Sequence, residues 1–93
     1  MLFSKHALLK IKERKIDKNL IKNVIKEPDS LYYDIISRCM VAIGNVKMAG
    51  VKTHLVVPYV KKSNDVKVVT VYPCRNINKE IGNKEAKRWV RVK

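Results

Sequence analysis

Apolar positions follow two rhythms along the chain. From Phe3 to Glu27 they recur every three or four residues. Ala7, Leu8 and Ile11 share one face of a first run, and Leu20, Ile21, Val24 and Ile25 share one face of a second. That spacing is helical. Both runs start alike. Ser4 stands where an N-cap is needed, with Phe3 before it and Leu8 in the place of a hydrophobic staple; Asp17 repeats the arrangement with Ile16 and Ile21. Pro28 stops the second run. The pattern predicts helices over residues 5–14 and 18–27, joined only by "RKID" as a tight hairpin.

From Leu31 to Tyr72 the period falls to two. "LYYDI", "RCMVAIGNV", "THLVVPYV" and "VKVVTVY" read as four strands, and the short breaks "KMAG" and "KKSND" predict an antiparallel meander. Leu55, Val57 and Tyr59 share a face. Val66, Val68, Thr70 and Tyr72 share another, and Val69 and Val71 make the fourth strand apolar on both sides, hence central. Tyr32 and Tyr33 point to opposite faces, so one belongs to the core. Pro58 cannot donate to a ladder, so the third strand is expected to bend or lose pairing there. "RNINKEIGNKEAK" is polar and barely helical, and "RWVRV" alternates as a short edge strand anchored by Trp89.

The elements sum to an α+β fold: an N-terminal helical hairpin packed on an antiparallel sheet of about four strands. Residues 1–93 form a single domain, with 76–93 a basic C-terminal extension. Helices on one face leave the other face free, and function is expected there.

Charge changes the picture most. The net charge is +13. Residues 1–27, 28–73 and 74–93 contribute +5, +3 and +5, so the folded body itself is cationic. Such a field draws in polyanions. The alternative is a lysine-rich surface of the kind a thermophile carries; the absence of Gln agrees with that and the seven Asn do not. No apolar run approaches the roughly 18 residues of a membrane span. Met1–Phe3 leads straight into Ser4 and Lys5, unlike a signal peptide. A cytoplasmic protein is expected, a monomer or homodimer. Cys39 and Cys74 form no CxxC pair and read as buried free thiols, or as a disulfide only if the host tolerates one. No metal site and no cofactor are expected.

No Gly-rich phosphate loop and no GxSxG occur, and eight acids leave little to hold magnesium. Metal-free RNA cleavage asks only for proton transfer at the 2′-OH and the 5′-oxygen, and for cations on the phosphate. His6, Lys10, Glu13 and Arg14 lie at i, i+4, i+7 and i+8, one polar stripe of the first helix. They could present an imidazole and two cations to a phosphate, or be a solvated helix face. Tyr72 and Arg75 flank the rigid turn at Pro73. Tyr72 could stack on a base or trade a proton, or be a core-edge aromatic; Arg75 could grip a phosphate or be a surface charge. Arg38 could touch RNA or pair with Asp34. Tyr59 would neighbour Tyr72 if the third and fourth strands pair. Arg88 and Arg91 add cations in the last strand. His54, among valines, reads as structural. The candidate catalytic residues are therefore His6, Arg14, Tyr72 and Arg75, and the candidate nucleic-acid contacts are Lys10, Arg38, Tyr59, Arg88 and Arg91.

"FSKHALLKIKERKI", "IKEPDS", "HLVVPYV" and "VVTVYP", in that order, resemble a widespread family of small prokaryotic domains similar to the BrnT-like branch of the RelE/ParE toxin superfamily. The likeness runs from Phe3 to about Ile77. His6, Ala7, Lys10, Glu13, Arg14 and Ile16 match the first-helix pattern, with Lys10 where Arg is commoner and Lys15 where Gly is common; Tyr72 and Pro73 match the Tyr-Pro after the last core strand. The resemblance implies a RelE-like fold, a toxin-type endoribonuclease acting on RNA that can be ribosome-associated, and an acidic antitoxin partner. Three functions follow: a metal-independent RNA endonuclease, a non-catalytic nucleic-acid-binding module, or an interaction domain for an acidic protein.

Overall fold

A computed structural model describes all 93 residues. Strand β1 (Leu2–Phe3) leads into helices α1 (Lys5–Arg14) and α2 (Lys18–Lys26). Both caps form as expected: the Ser4 hydroxyl accepts from the Ala7 N–H at 3.0 Å and the Asp17 carboxylate from the Asn19 N–H at 2.8 Å. Lys15 ends α1 in the left-handed conformation, φ 52° and ψ 49°, which explains why glycine suits that position. Of the two staples only the second closes. Ile16 and Ile21 are buried together, whereas Leu8 stays 44% exposed. Phe3 instead packs beside the core and lies under the Lys18 ammonium, 5.1 Å from its ring centre.

The rest of the chain is β2 (Ser30–Asp34), β3 (Cys39–Met48), β4 (Val51–Lys62), β5 (Asp65–Val68), β6 (Tyr72–Cys74), α3 (Ile77–Glu85) and β7 (Trp89–Arg91). The fold is α+β, but the sheet has seven strands, ordered β1-β5-β4-β3-β2-β7 with β6 also on β4. All pairs are antiparallel except β1 with β5. The central strand is β4, not the fourth predicted one. It pairs with β3 from Val51 to Tyr59, and its other edge is shared by β5 and β6. Between them the register slips: Tyr59 faces Val68 but Val56 faces Tyr72, so Val69–Val71 oppose only Val57 and Pro58. The extra residue is a bulge at the proline, as the missing donor led us to expect. The Pro58 carbonyl still accepts from the Val69 N–H at 2.9 Å.

That slip has a consequence for side chains. One inserted residue turns all later positions to the opposite face. Val68 and Val71 pack with Tyr59 under α1 and α2, while Tyr72 joins the other face with Val56. The expected contact between Tyr59 and Tyr72 is absent for this reason. The core under α1 and α2 holds Ala7, Ile16, Ile21, Val24, Ala42, Leu55 and Val57. Burying each Val, Leu or Ile side chain there is worth roughly 1.5–3 kcal/mol. Gly44 lets α2 approach β3 closely: a Cβ there would sit 2.8 Å from Cγ2 of Val24.

The second sheet face is not free. Tyr32, Cys39, Val41, Ile43, Val56 and Trp89 form a second core, and α3 covers it with Ile77 and Ile81. Asn76 caps α3 through its side-chain oxygen. The two isoleucines, four positions apart in a polar stretch, suffice to dock a helix that local sequence leaves undecided. Strand β7 joins the sheet beside β2. Tyr32 is the core tyrosine and stacks on Trp89 with ring centres 5.4 Å apart, while Tyr33 is exposed.

Candidate nucleic-acid interface

The nine residues singled out in the sequence do not converge. His6 and Arg14 are exposed on α1, in the helical layer; Lys10, half-buried there, pairs with Glu13 at 3.6 Å. Tyr72 lies on the opposite side of the sheet. Its hydroxyl donates to the Glu80 carboxylate of α3 at 2.7 Å. Burial, then the bond to Glu80 and its charge, push the hydroxyl far above the ordinary tyrosine range, so it holds its proton. Tyr59 is buried beneath α1 and α2, where no base can stack on it, and burial raises its hydroxyl as well.

Arg38 does not pair with Asp34. It ends the turn after β2 at φ 56°, exposed, and only its backbone N–H reaches the Asp34 carbonyl, at 2.8 Å. The Asp34 carboxylate belongs to Arg88, 54 positions away. One oxygen accepts from Arg88 Nε at 2.7 Å and from the Trp89 indole N–H at 3.2 Å; the other accepts from the Ile36 and Ser37 N–H groups, both at 3.0 Å. Burial alone would raise this carboxyl, but the Ser37, Arg88 and Ile36 donors and the Arg88 charge outweigh it and lower it. Arg91 lies over the Tyr32 ring and donates to its hydroxyl at 3.3 Å. Tyr72 and Arg88 line the same small cavity of about 220 Å³ between the sheet and α3. Each is already engaged by a carboxylate.

One predicted residue, Arg75, stands in different company. The β3–β4 hairpin turns at Ala49 and Gly50, both with positive φ (51° and 77°), the signature of a two-residue type I′ turn. This register sets Lys47 opposite Lys52 and Asn45 opposite His54, and β6 brings Cys74 beside His54. Paired and alternate positions share a face. Asn45, Lys47, Lys52 and His54 therefore lie on the face away from α1 and α2, at the end α3 does not reach. With Arg75 they line an open cleft of about 650 Å³ with no carboxylate in its wall. Beside it, Asp29 accepts the Asn45 backbone N–H at 2.6 Å.

Two features of the cleft bear on chemistry. Like charges directly across a ladder repel, so Lys47 and Lys52 are held together at a cost that an anion would relieve. His54 turns its Nδ1 inward, buried without a hydrogen-bond partner. Nothing orients the ring from behind, as a carboxylate does in a catalytic dyad. Sequence reasoning treated His54 as structural and passed over both lysines. The available signal was the "KMAGVK" turn: once it is centred on Ala49–Gly50, these residues pair off.

No three His, Cys, Asp or Glu side chains gather to hold a metal ion. Both cysteines are free, Cys39 buried and Cys74 half-buried. No helix is long and apolar enough to cross a membrane. Residues 3–73 match the profile of a domain of unknown function, DUF4258, which covers most of the chain and includes Lys47, Lys52 and His54 but not α3 or β7. No curated protein and no solved structure matches the chain.

Proposed function

The chain belongs to the DUF4258 family, and from that premise we propose that it acts on RNA as a toxin-type domain, holding the sugar–phosphate backbone in the β3–β4 cleft and cutting it without a metal ion. The observation that carries this reading is the sorting of charge. Lys47, Lys52, Arg75 and His54 line one open cleft with no acid among them, on a body of net charge +13. Cations in that arrangement hold a phosphate and the charge that grows on it. His54 is the group placed to move a proton. The resemblance to the BrnT-like branch of the RelE/ParE superfamily supports the same reading, and an acidic antitoxin would complement the cationic body.

The test is cleavage of a mixed-sequence RNA by the purified protein in EDTA, with and without translating ribosomes. Cleavage is expected from the wild type, from His6→Ala and from Arg14→Ala, and is expected to be lost in His54→Ala and Arg75→Ala. RNA left intact under every condition refutes catalysis. A second reading, RNA binding without cleavage, is favoured by the unsupported Nδ1 of His54. RNA that is bound but never cut selects it.

A further inference from the structure

We infer that the outer edge of β7 is a docking site for an extended, acidic segment of a partner protein, which joins the sheet there as a further strand. This surface is separate from the cleft, and the inference does not rest on the RNA reading. Strand β7 ends the sheet, and no strand pairs beyond it. Its bonds to β2 decide which backbone groups are left over. The Ile35 N–H donates to the Arg88 carbonyl at 2.9 Å and the Val92 N–H to the Leu31 carbonyl at 2.8 Å. Bonded and open pairs alternate along an antiparallel ladder. Arg91, which lies opposite Tyr32, falls on an open pair and so turns its own N–H and C=O outward. An edge of that kind is a template for an added strand.

The side chains specify that strand. Val90 lies opposite Tyr33, and Val92, two positions on, shares its side of the sheet. Helix α2 packs on β3 and β4, and α1 beside β1. Neither covers this patch, so Tyr33, Val90 and Val92 stay 37%, 53% and 54% exposed. Arg91 points to the other side, over the Tyr32 ring, and Lys93 follows it as a second exposed cation. A strand laid along β7 meets valines on one side and a guanidinium on the other. The complement is a segment that alternates apolar and acidic residues. A second copy of this chain does not fit. A two-fold pairing centred on Arg91 sets two guanidiniums face to face, between bodies that each carry +13. The charge that blocks self-pairing selects an acidic occupant.

The experiment is fluorescence anisotropy at 150 mM salt with three labelled eight-residue peptides. One alternates valine and glutamate, one carries the same residues in two blocks, and one alternates valine and lysine. The wild type is compared with Arg91→Ala, Arg91→Pro and Val90→Ser/Val92→Ser. Proline at 91 removes the outward N–H and leaves the ladder to β2 intact. Trp89 fluorescence checks folding, and the serine pair carries the test if the proline variant unfolds. The alternating acidic peptide is expected to bind the wild type at least tenfold more tightly than either other peptide. It should bind Arg91→Pro at least tenfold more weakly than Arg91→Ala, and the serine pair at least fivefold more weakly than the wild type. Equal binding of the alternating and blocked acidic peptides reduces the effect to net charge and overturns the inference. Equal binding to Arg91→Pro and Arg91→Ala, or to the serine pair and the wild type, overturns it as well. No binding of the alternating peptide also overturns it, and leaves the RNA reading of the cleft standing.

Discussion

Replacing Asp34 by alanine should remove the knot that ties the C-terminal strand to the β2–β3 turn. Four donors meet this one buried carboxylate. Their losses differ. The Trp89 indole N–H is buried and would be left without a partner, a cost of about 2 kcal/mol. Arg88 keeps 30% of its side chain exposed and can turn to water, so its loss is nearer about 1 kcal/mol. The Ile36 and Ser37 N–H groups sit in an exposed turn, and together lose about 1 kcal/mol. The sum is about 4 kcal/mol, a large share of the roughly 5–14 kcal/mol expected for a chain of this size. Urea unfolding followed by the fluorescence of the single tryptophan reads it directly. The pH dependence has a definite sign. A carboxyl whose pKa is lowered by folding contributes stability that is full above its unfolded value near 3.9 and is lost as pH falls through the folded value. Wild type should therefore weaken in acid below about pH 4, and Asp34→Ala should lack that part of the decline. A loss below 1 kcal/mol at neutral pH, or identical acid profiles, would refute the reasoning.

Three further outcomes are expected. Lys15→Gly relieves the left-handed residue that ends α1 (φ 52°) and should stabilise the fold by about 0.5–1 kcal/mol, raising Tm by a few degrees in a thermal melt; an unchanged or lower Tm contradicts this. Gly44→Ala forces a Cβ against Val24 and should cost about 1–3 kcal/mol in the same urea assay, whereas a stabilised variant would mean that α2 has room to move away. Tyr72→Phe removes the bond to Glu80 and should cost about 1 kcal/mol while leaving RNA affinity unchanged; a tenfold fall in affinity would place Tyr72 in the interface.

What could be read from the residues was what local physics decides. Both N-caps, the helix bounds, the core role of one tyrosine of the Tyr32–Tyr33 pair and the disturbed pairing at Pro58 all depend on neighbours within a few positions. The rest depended on partners far along the chain. Helix α3 has only Ile77 and Ile81 to bury, and the second core makes it a helix. Arg38 looked like the partner of Asp34 because it is close in sequence, yet the turn leaves only its backbone in reach while Arg88 arrives from the far end. The single slipped residue opposite Pro58 turned Tyr72 away from Tyr59 and under α3. The cleft was hidden for a related reason. Lys47, Lys52 and His54 are unremarkable one at a time and become a group only when the hairpin register is set.

The claim that this end of the sheet captures RNA is tested most directly by mapping. A titration of ¹⁵N-labelled protein with a short single-stranded RNA, followed by amide chemical shifts, should move residues 45–54 and Arg75 first and most, with α1 and α3 nearly still. Shifts concentrated on His6–Arg14 or along α3, or none at all at low salt, would contradict it.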